Sequence, residues 1–156
     1  MEESFVREVD LAGFYVARFT PDQDLFGRLT EIMADRELDR IVVLSGIGSL
    51  QDVTMRDLKD AIQRPINLGK TNEIVSKGPF ELLSLEGSVV PMDGGPIIHL
   101  HGVMGMPDGS VIGGHLFEAT VFSTLELFIA GVEGTDLRKQ ASLITGLNEY
   151  RVGPDS

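Results

Sequence analysis

The chain has 156 residues, a formal net charge of −11, an isoelectric point near 4.6 and no cysteine. That is the length of one ordinary domain, and with 42% hydrophobic residues it can bury a core unaided. Disulfides, thiolate metal sites, iron–sulfur clusters and cysteine nucleophiles are excluded.

The acidic balance repels phosphate backbones and no Lys/Arg-rich tract offsets it, so no nucleic-acid partner is expected. No apolar run is long enough to span a bilayer, and the acidic start Met1-Glu2-Glu3 is unlike a signal or mitochondrial presequence. A cytoplasmic protein without a membrane partner is expected.

In chain order, Ser4 to Thr20 alternates loosely and reads as one or two outer strands interrupted at Gly13. Thr20-Pro21-Asp22-Gln23 has the form of a capping box with proline at the first helical position. Leu25, Phe26, Leu29, Ile32 and Met33 follow at helical spacing, which predicts one long helix over about 21–37 with its apolar face on a sheet.

Ile41 to Leu44 predicts a buried strand ending in a glycine turn at Gly46-Ile47-Gly48. The third glycine of a dinucleotide fingerprint is missing, and Leu50 to Leu58 continues as a strand rather than a phosphate-binding helix. Asp60 to Lys77 is polar and mixed, a loop with a short strand or turn.

From Gly78 the pattern is strongly β. Phe80 to Val90, Pro96 to Met104, Ser110 to Ala119 and Val121 to Val132 predict a four-stranded antiparallel meander, punctuated at Met92-Asp93-Gly94-Gly95 and Pro107-Asp108-Gly109. Leu137 to Ile144 reads as a short C-terminal helix and Leu147 to Val152 as a final strand. With no linker or repeat, residues 1–156 form one α+β domain with a mostly antiparallel sheet.

The chemically distinctive residues are the histidines, of which there are three. His99 and His101 are two apart, so on a strand both project from one face. Pro107-Asp108-Gly109 suits a three-residue hairpin loop with glycine in the left-handed position, which pairs Met106 with Ser110. Counting back, His101 falls opposite His115, with His99 on the diagonal.

Opposed residues have Cβ atoms about 4.5–5.5 Å apart and diagonal ones about 7–8 Å, within reach of three imidazoles sharing one ion. A three-histidine site leaves a further position on zinc for water, an acid side chain or a substrate. Gly102, Gly113 and Gly114 leave room for close approach of a ligand or a backbone.

The competing account is a solvated strand face that tolerates polar residues, and a register slip of one residue would carry His115 to the opposite face. Glu81, Glu86, Glu118 and Glu126 interrupt apolar strands and are candidate proton acceptors or partners to a ligand histidine, or else solvent-facing residues. Ser84 and Ser88 lack the surroundings of a hydrolase nucleophile.

Taken in order, Gly46-Ile47-Gly48-Ser49, Gly78-Pro79-Phe80-Glu81-Leu82-Leu83-Ser84-Leu85-Glu86-Gly87-Ser88, His99-Leu100-His101, Asp108-Gly109 and Gly113-Gly114-His115-Leu116 resemble the plant-and-prokaryote conserved domain (PPC, or DUF296) of the prokaryotic stand-alone type. The resemblance spans nearly the whole chain. It implies a strongly curved antiparallel sheet, a homotrimer, and a divalent metal, zinc foremost, held by His99, His101 and His115. Plant proteins with this domain bind DNA through a separate AT-hook with an Arg-Gly-Arg core, which this sequence does not contain.

The expectation is therefore a metal-binding protein with room for a small-molecule ligand at the metal. Whether it is an enzyme acting on a small polar substrate is left open. The alternative is a non-catalytic trimeric oligomerisation or interaction module, with DNA binding the least favoured reading.

Overall fold

The computed structural model describes residues 4–153. Their elements are β1 (Asp10–Phe19), α1 (Leu25–Asp35), β2 (Ile41–Leu58), β3 (Thr71–Met92), β4 (Gly95–Gly105), β5 (Val111–Glu133), β6 (Leu137–Ala141) and β7 (Asn148–Val152), with a 3₁₀ turn at Leu68–Lys70. The chain is thus α+β, with a curved, antiparallel main sheet and a single α-helix among the described residues.

Sheet order is β1-β5-β2-β3-β4, and β4 pairs back onto β5. Strands β2 to β5 therefore close on themselves, and β1 is the outer strand, as its weak alternation predicts. Closure depends on β5, whose first residues pair with β4, whose middle pairs with β2 and whose last third also pairs with β1. This replaces the four-strand meander: Ser110–Ala119 and Val121–Val132 are one strand, and bulges along the β2–β5 ladder bend it without breaking it.

Gly46-Ile47-Gly48 likewise does not turn but continues within β2. Its glycines are needed for packing. A Cβ on Gly48 would lie 2.2 Å from the Thr124 carbonyl oxygen, so β2 and β5 approach there only without a side chain.

The interior is filled from the inward positions of the closed strands, including Leu50, Met55, Leu82, Leu85, Leu100, Met104 and Leu116, all buried. Leu25, Leu29 and Met33 lay the helix onto this core, on the spacing that the sequence predicts. The helix is shorter than 21–37 at both ends, each for a local reason.

Asp22 has φ +66°, which no helix accommodates, so Asp24 becomes the N-cap and accepts from the Phe26 and Gly27 N–H groups at 3.3 and 2.8 Å. The predicted capping box survives only as a turn before the helix, with the Thr20 N–H donating to Gln23 Oε1. At the other end Glu37 is left-handed (φ +53°), and the Leu38 N–H reaches back to the Met33 carbonyl in a Schellman arrangement.

The C-terminal helix expected over Leu137–Ile144 is absent. Leu137–Ala141 is instead a strand, paired with Asn148–Val152 in a separate two-stranded sheet. Ser142 Oγ accepts from the N–H groups of Ile144 and Thr145, and the Gly146 N–H bonds back to the Ser142 carbonyl. These local bonds turn the chain and use donors that a helix would need.

Candidate metal centre

The β4–β5 loop forms as its residues dictate. The Gly109 N–H bonds to the Met106 carbonyl, the Met106 N–H to the Ser110 carbonyl, Gly109 takes φ +84°, and Asp108 accepts from both the N–H and the hydroxyl of Ser110. The loop sets the register Gly105↔Val111, Val103↔Gly113 and His101↔His115. Along β4, Leu100, Gly102 and Met104 face the interior, so His99 and His101 stand together on the outer face.

All three sequence-predicted histidines converge. Ring centroids are 5.1 Å apart for His99 and His101, 4.7 Å for His99 and His115, and 5.2 Å for His101 and His115. One ring nitrogen from each lies within 4.8 Å of the others, and the Nε2 atoms of His99 and His101 are 3.2 Å apart. Two nitrogens on one tetrahedral zinc, at about 2.0–2.1 Å from the ion, stand about 3.3 Å apart. The His99–His101 pair has that spacing, and the His115 nitrogen lies within 4.8 Å of both, so the group could hold a single cation.

Electrostatics favour the neutral form of the His99 and His115 rings. Burial pushes the His99 imidazole down to about 4, reinforced by the Lys139 ammonium and by the other two histidines. His115 is lowered by burial, then by His101 and Lys139, while Asp57 opposes the shift. Phe117 stacks on His115 at 4.7 Å, and the Arg56 guanidinium lies over Phe117 while pairing with Glu73.

Ladder pairings continue the outer face sideways. Glu86 pairs with His101, and Arg56 pairs with His115 on its other side. Of the acidic candidates, Glu86 accepts from the Ser84 hydroxyl and Glu118 from that of Thr54, Glu81 pairs with Ser49 and Gly105, and Glu126 pairs with Arg18 and Ile47, far along β5.

Of the ligand or backbone for which the nearby glycines leave room, Gly113 meets a backbone, and Gly102 and Gly114 meet side chains. A Cβ on Gly102 would meet Leu116, one on Gly113 the Gly102 carbonyl and one on Gly114 the Asp57 carboxylate, so their smallness serves strand packing.

The sequence reading misses Lys139, Tyr150 and the use of Ser88. Lys139 is buried, with Nζ 3.1 Å from His99 Nδ1 and 3.1 Å from the Asn148 carbonyl, and 4.5 Å from the Tyr150 ring centroid. The Tyr150 hydroxyl is 2.5 Å from Ser88 Oγ. Reading residues 137–144 as a helix hides this, because the alternation that turns Lys139 inward exists only on a strand.

A closed antiparallel sheet bearing a three-histidine cluster on its outer face, beneath a C-terminal hairpin, defines the class of this protein. The chain belongs to the Plants and Prokaryotes Conserved (PCC) domain family, whose model matches residues 7–133.

Among solved structures, a metal-containing protein from Archaeoglobus fulgidus is 25% identical with a TM-score of 0.81, covering 95% of this chain and 99% of its own. A plant- and prokaryote-conserved protein from Pyrococcus horikoshii is 24% identical with a TM-score of 0.77, covering 92% and 97%.

Among characterised proteins, the bifunctional protein GlmU of a Synechococcus strain is 30% identical over 141 residues, 90% of this chain. AT-hook motif nuclear-localized protein 1 of Arabidopsis thaliana is 35% identical over 106 residues, 64% of this chain. The matches span only 20% and 27% of those two proteins. No helix among the described residues is long and apolar enough to cross a membrane.

Proposed function

We propose that this chain binds a divalent cation, Zn²⁺ foremost, through His99, His101 and His115, and that the ion keeps a position open to a small polar ligand. The observation that carries this reading is the convergence of three ring nitrogens within 4.8 Å of one another. The similarity to an archaeal protein described as metal-containing supports it.

A zinc ion there would supply Lewis acidity and an acidified water. Around it, the chain's own residues hold the imidazoles, and Glu86, whose Cα stands opposite that of His101 in the β3–β4 ladder, is the candidate proton acceptor. Metal analysis of tag-free protein tests the reading: stoichiometric zinc, lost in His101→Ala and His115→Ala with the fold intact, supports it. Zinc retained in both variants refutes it.

A second reading, a non-catalytic assembly module, draws on a different observation. Phe14 (61% exposed), Val16 (73%) and Phe128 (49%) form an apolar strip on β1 and β5, with the Phe14 and Phe128 rings stacked at 5.9 Å. Exposed apolar patches mark interaction sites, and the family resemblance makes the partner two further copies of this chain. Sedimentation equilibrium at three chain masses supports the trimer, and a single chain mass refutes it. Collapse of the trimer on chelation would make the metal structural.

A further inference from the structure

The imidazoles of the cluster are held by different means. His99 has both ring nitrogens within hydrogen-bond distance of a partner, Nδ1 of Lys139 Nζ and Nε2 of His101 Nε2. His115 makes no hydrogen bond to any described residue, and the last torsion of a histidine side chain is broad and roughly two-fold. Its plane has to be fixed by packing.

Phe117 is placed to do this. In the β2–β5 ladder Thr54 pairs with Glu118 and Met55 with Leu116, so Phe117 is the extra residue of a bulge and stands opposite no residue of β2. A bulge re-aims a side chain. Here the ring lands on His115, with centroids 4.7 Å apart and planes 23° from parallel, inside the range of a favourable aromatic stack. Phe117 stays 42% exposed, so burial in the core is not what holds it there. The Arg56 guanidinium lies 5.6 Å from the Phe117 centroid and is itself tied to Glu73 and to the Thr71 hydroxyl. A file of side chains from β3 through β2 thus ends on the His115 ring.

We propose that Phe117 is the positioning residue for His115: lifted out of the ladder by the bulge and steadied by Arg56, it sets the plane of the imidazole so that the ring faces His99 and His101. Which nitrogen is presented is left to the ion. This rests on the metal reading given above and adds the means by which the histidine without a hydrogen bond is kept in the cluster.

The test compares wild type, Phe117→Leu and Phe117→Tyr by the ¹H shifts of the His115 ring in metal-free protein, by titration with Zn²⁺ alone, and by the visible spectrum of bound Co²⁺. In wild type the ring current of Phe117 displaces the His115 ring protons upfield. Phe117→Leu, which keeps apolar bulk without a flat face, should lose that displacement, change the cobalt spectrum, and bind zinc about two- to tenfold more weakly, the size of one aromatic pair. Phe117→Tyr should restore all of these. Phe117→Val carries the comparison if the leucine variant does not fold.

Wild-type zinc affinity and cobalt spectrum in folded Phe117→Leu, or a tyrosine variant no better than the leucine variant, would overturn the proposal. A wild type that binds no zinc would defeat the metal reading alone, and the His115 ring shifts would still decide whether Phe117 holds that ring.

Discussion

His101 and His115 face each other directly across the β4–β5 ladder, their ring centroids 5.2 Å apart. Because side chains alternate along a strand, this pairing exists in one register only, and the register is set at Gly109. With φ +84° and open space about its Cα, Gly109 resists replacement through backbone conformation rather than packing. Gly109→Ala should cost about 1–2 kcal/mol, read by urea denaturation. A cost near zero would mean that the loop does not need its left-handed residue.

Gly87 holds β3 against β4 directly behind the cluster. A Cβ there would lie 2.0 Å from the His99 carbonyl oxygen, a backbone atom that moves only with its strand. Gly87→Ala should destabilise by about 1–3 kcal/mol and weaken zinc binding together with stability. Zinc titration and urea unfolding of the same sample check both, and unchanged zinc affinity would show that the strand yields without moving His99.

The helix start gives a third test. Asp24 caps the helix through two N–H groups, whereas Thr20 belongs to the preceding turn. Asp24→Ala should cost about 1 kcal/mol, and Thr20→Ala clearly less. The reverse order in thermal or urea unfolding would restore the capping box of the sequence reading.

Acid should weaken the metal-free fold through His99. Its folded-state value is pushed to about 4 by burial first and then by Lys139, against 6.5 for an unperturbed ring. Between those values the unfolded chain holds the proton and the folded chain does not. The stability this neutral ring contributes is therefore complete above about pH 6.5 and is lost as pH falls toward 4. The difference in urea midpoint between pH 7 and pH 5 should shrink in His99→Gln. An unchanged difference would mean that His99 titrates normally in the folded protein.

What was legible in the sequence followed from local chemistry. Proline, aspartate and glycine at 107–109 fixed a loop, the loop fixed a register, and the period of two along β4 placed His99 beside His101. The helix core residues Leu25, Leu29 and Met33 were legible for the same reason.

What was not legible depended on distant partners. Whether Val111–Glu133 is two strands or one is decided by β1, β2 and β4 all pairing with it, and no local signal encodes three partners. Residues 137–144 have helical composition, yet Ser142 and Gly146 turn the chain into a hairpin, and Lys139 reaches His99 only through that hairpin, from 40 positions away.

X-ray absorption at the zinc K edge on tag-free protein loaded with one equivalent of Zn²⁺ tests the three-histidine centre most directly. The expected spectrum has three imidazole nitrogens at about 2.0–2.1 Å plus one exchangeable oxygen ligand, and loses an imidazole contribution in His115→Ala. Zinc bound mainly by carboxylates, or a spectrum identical in His115→Ala, would contradict the account.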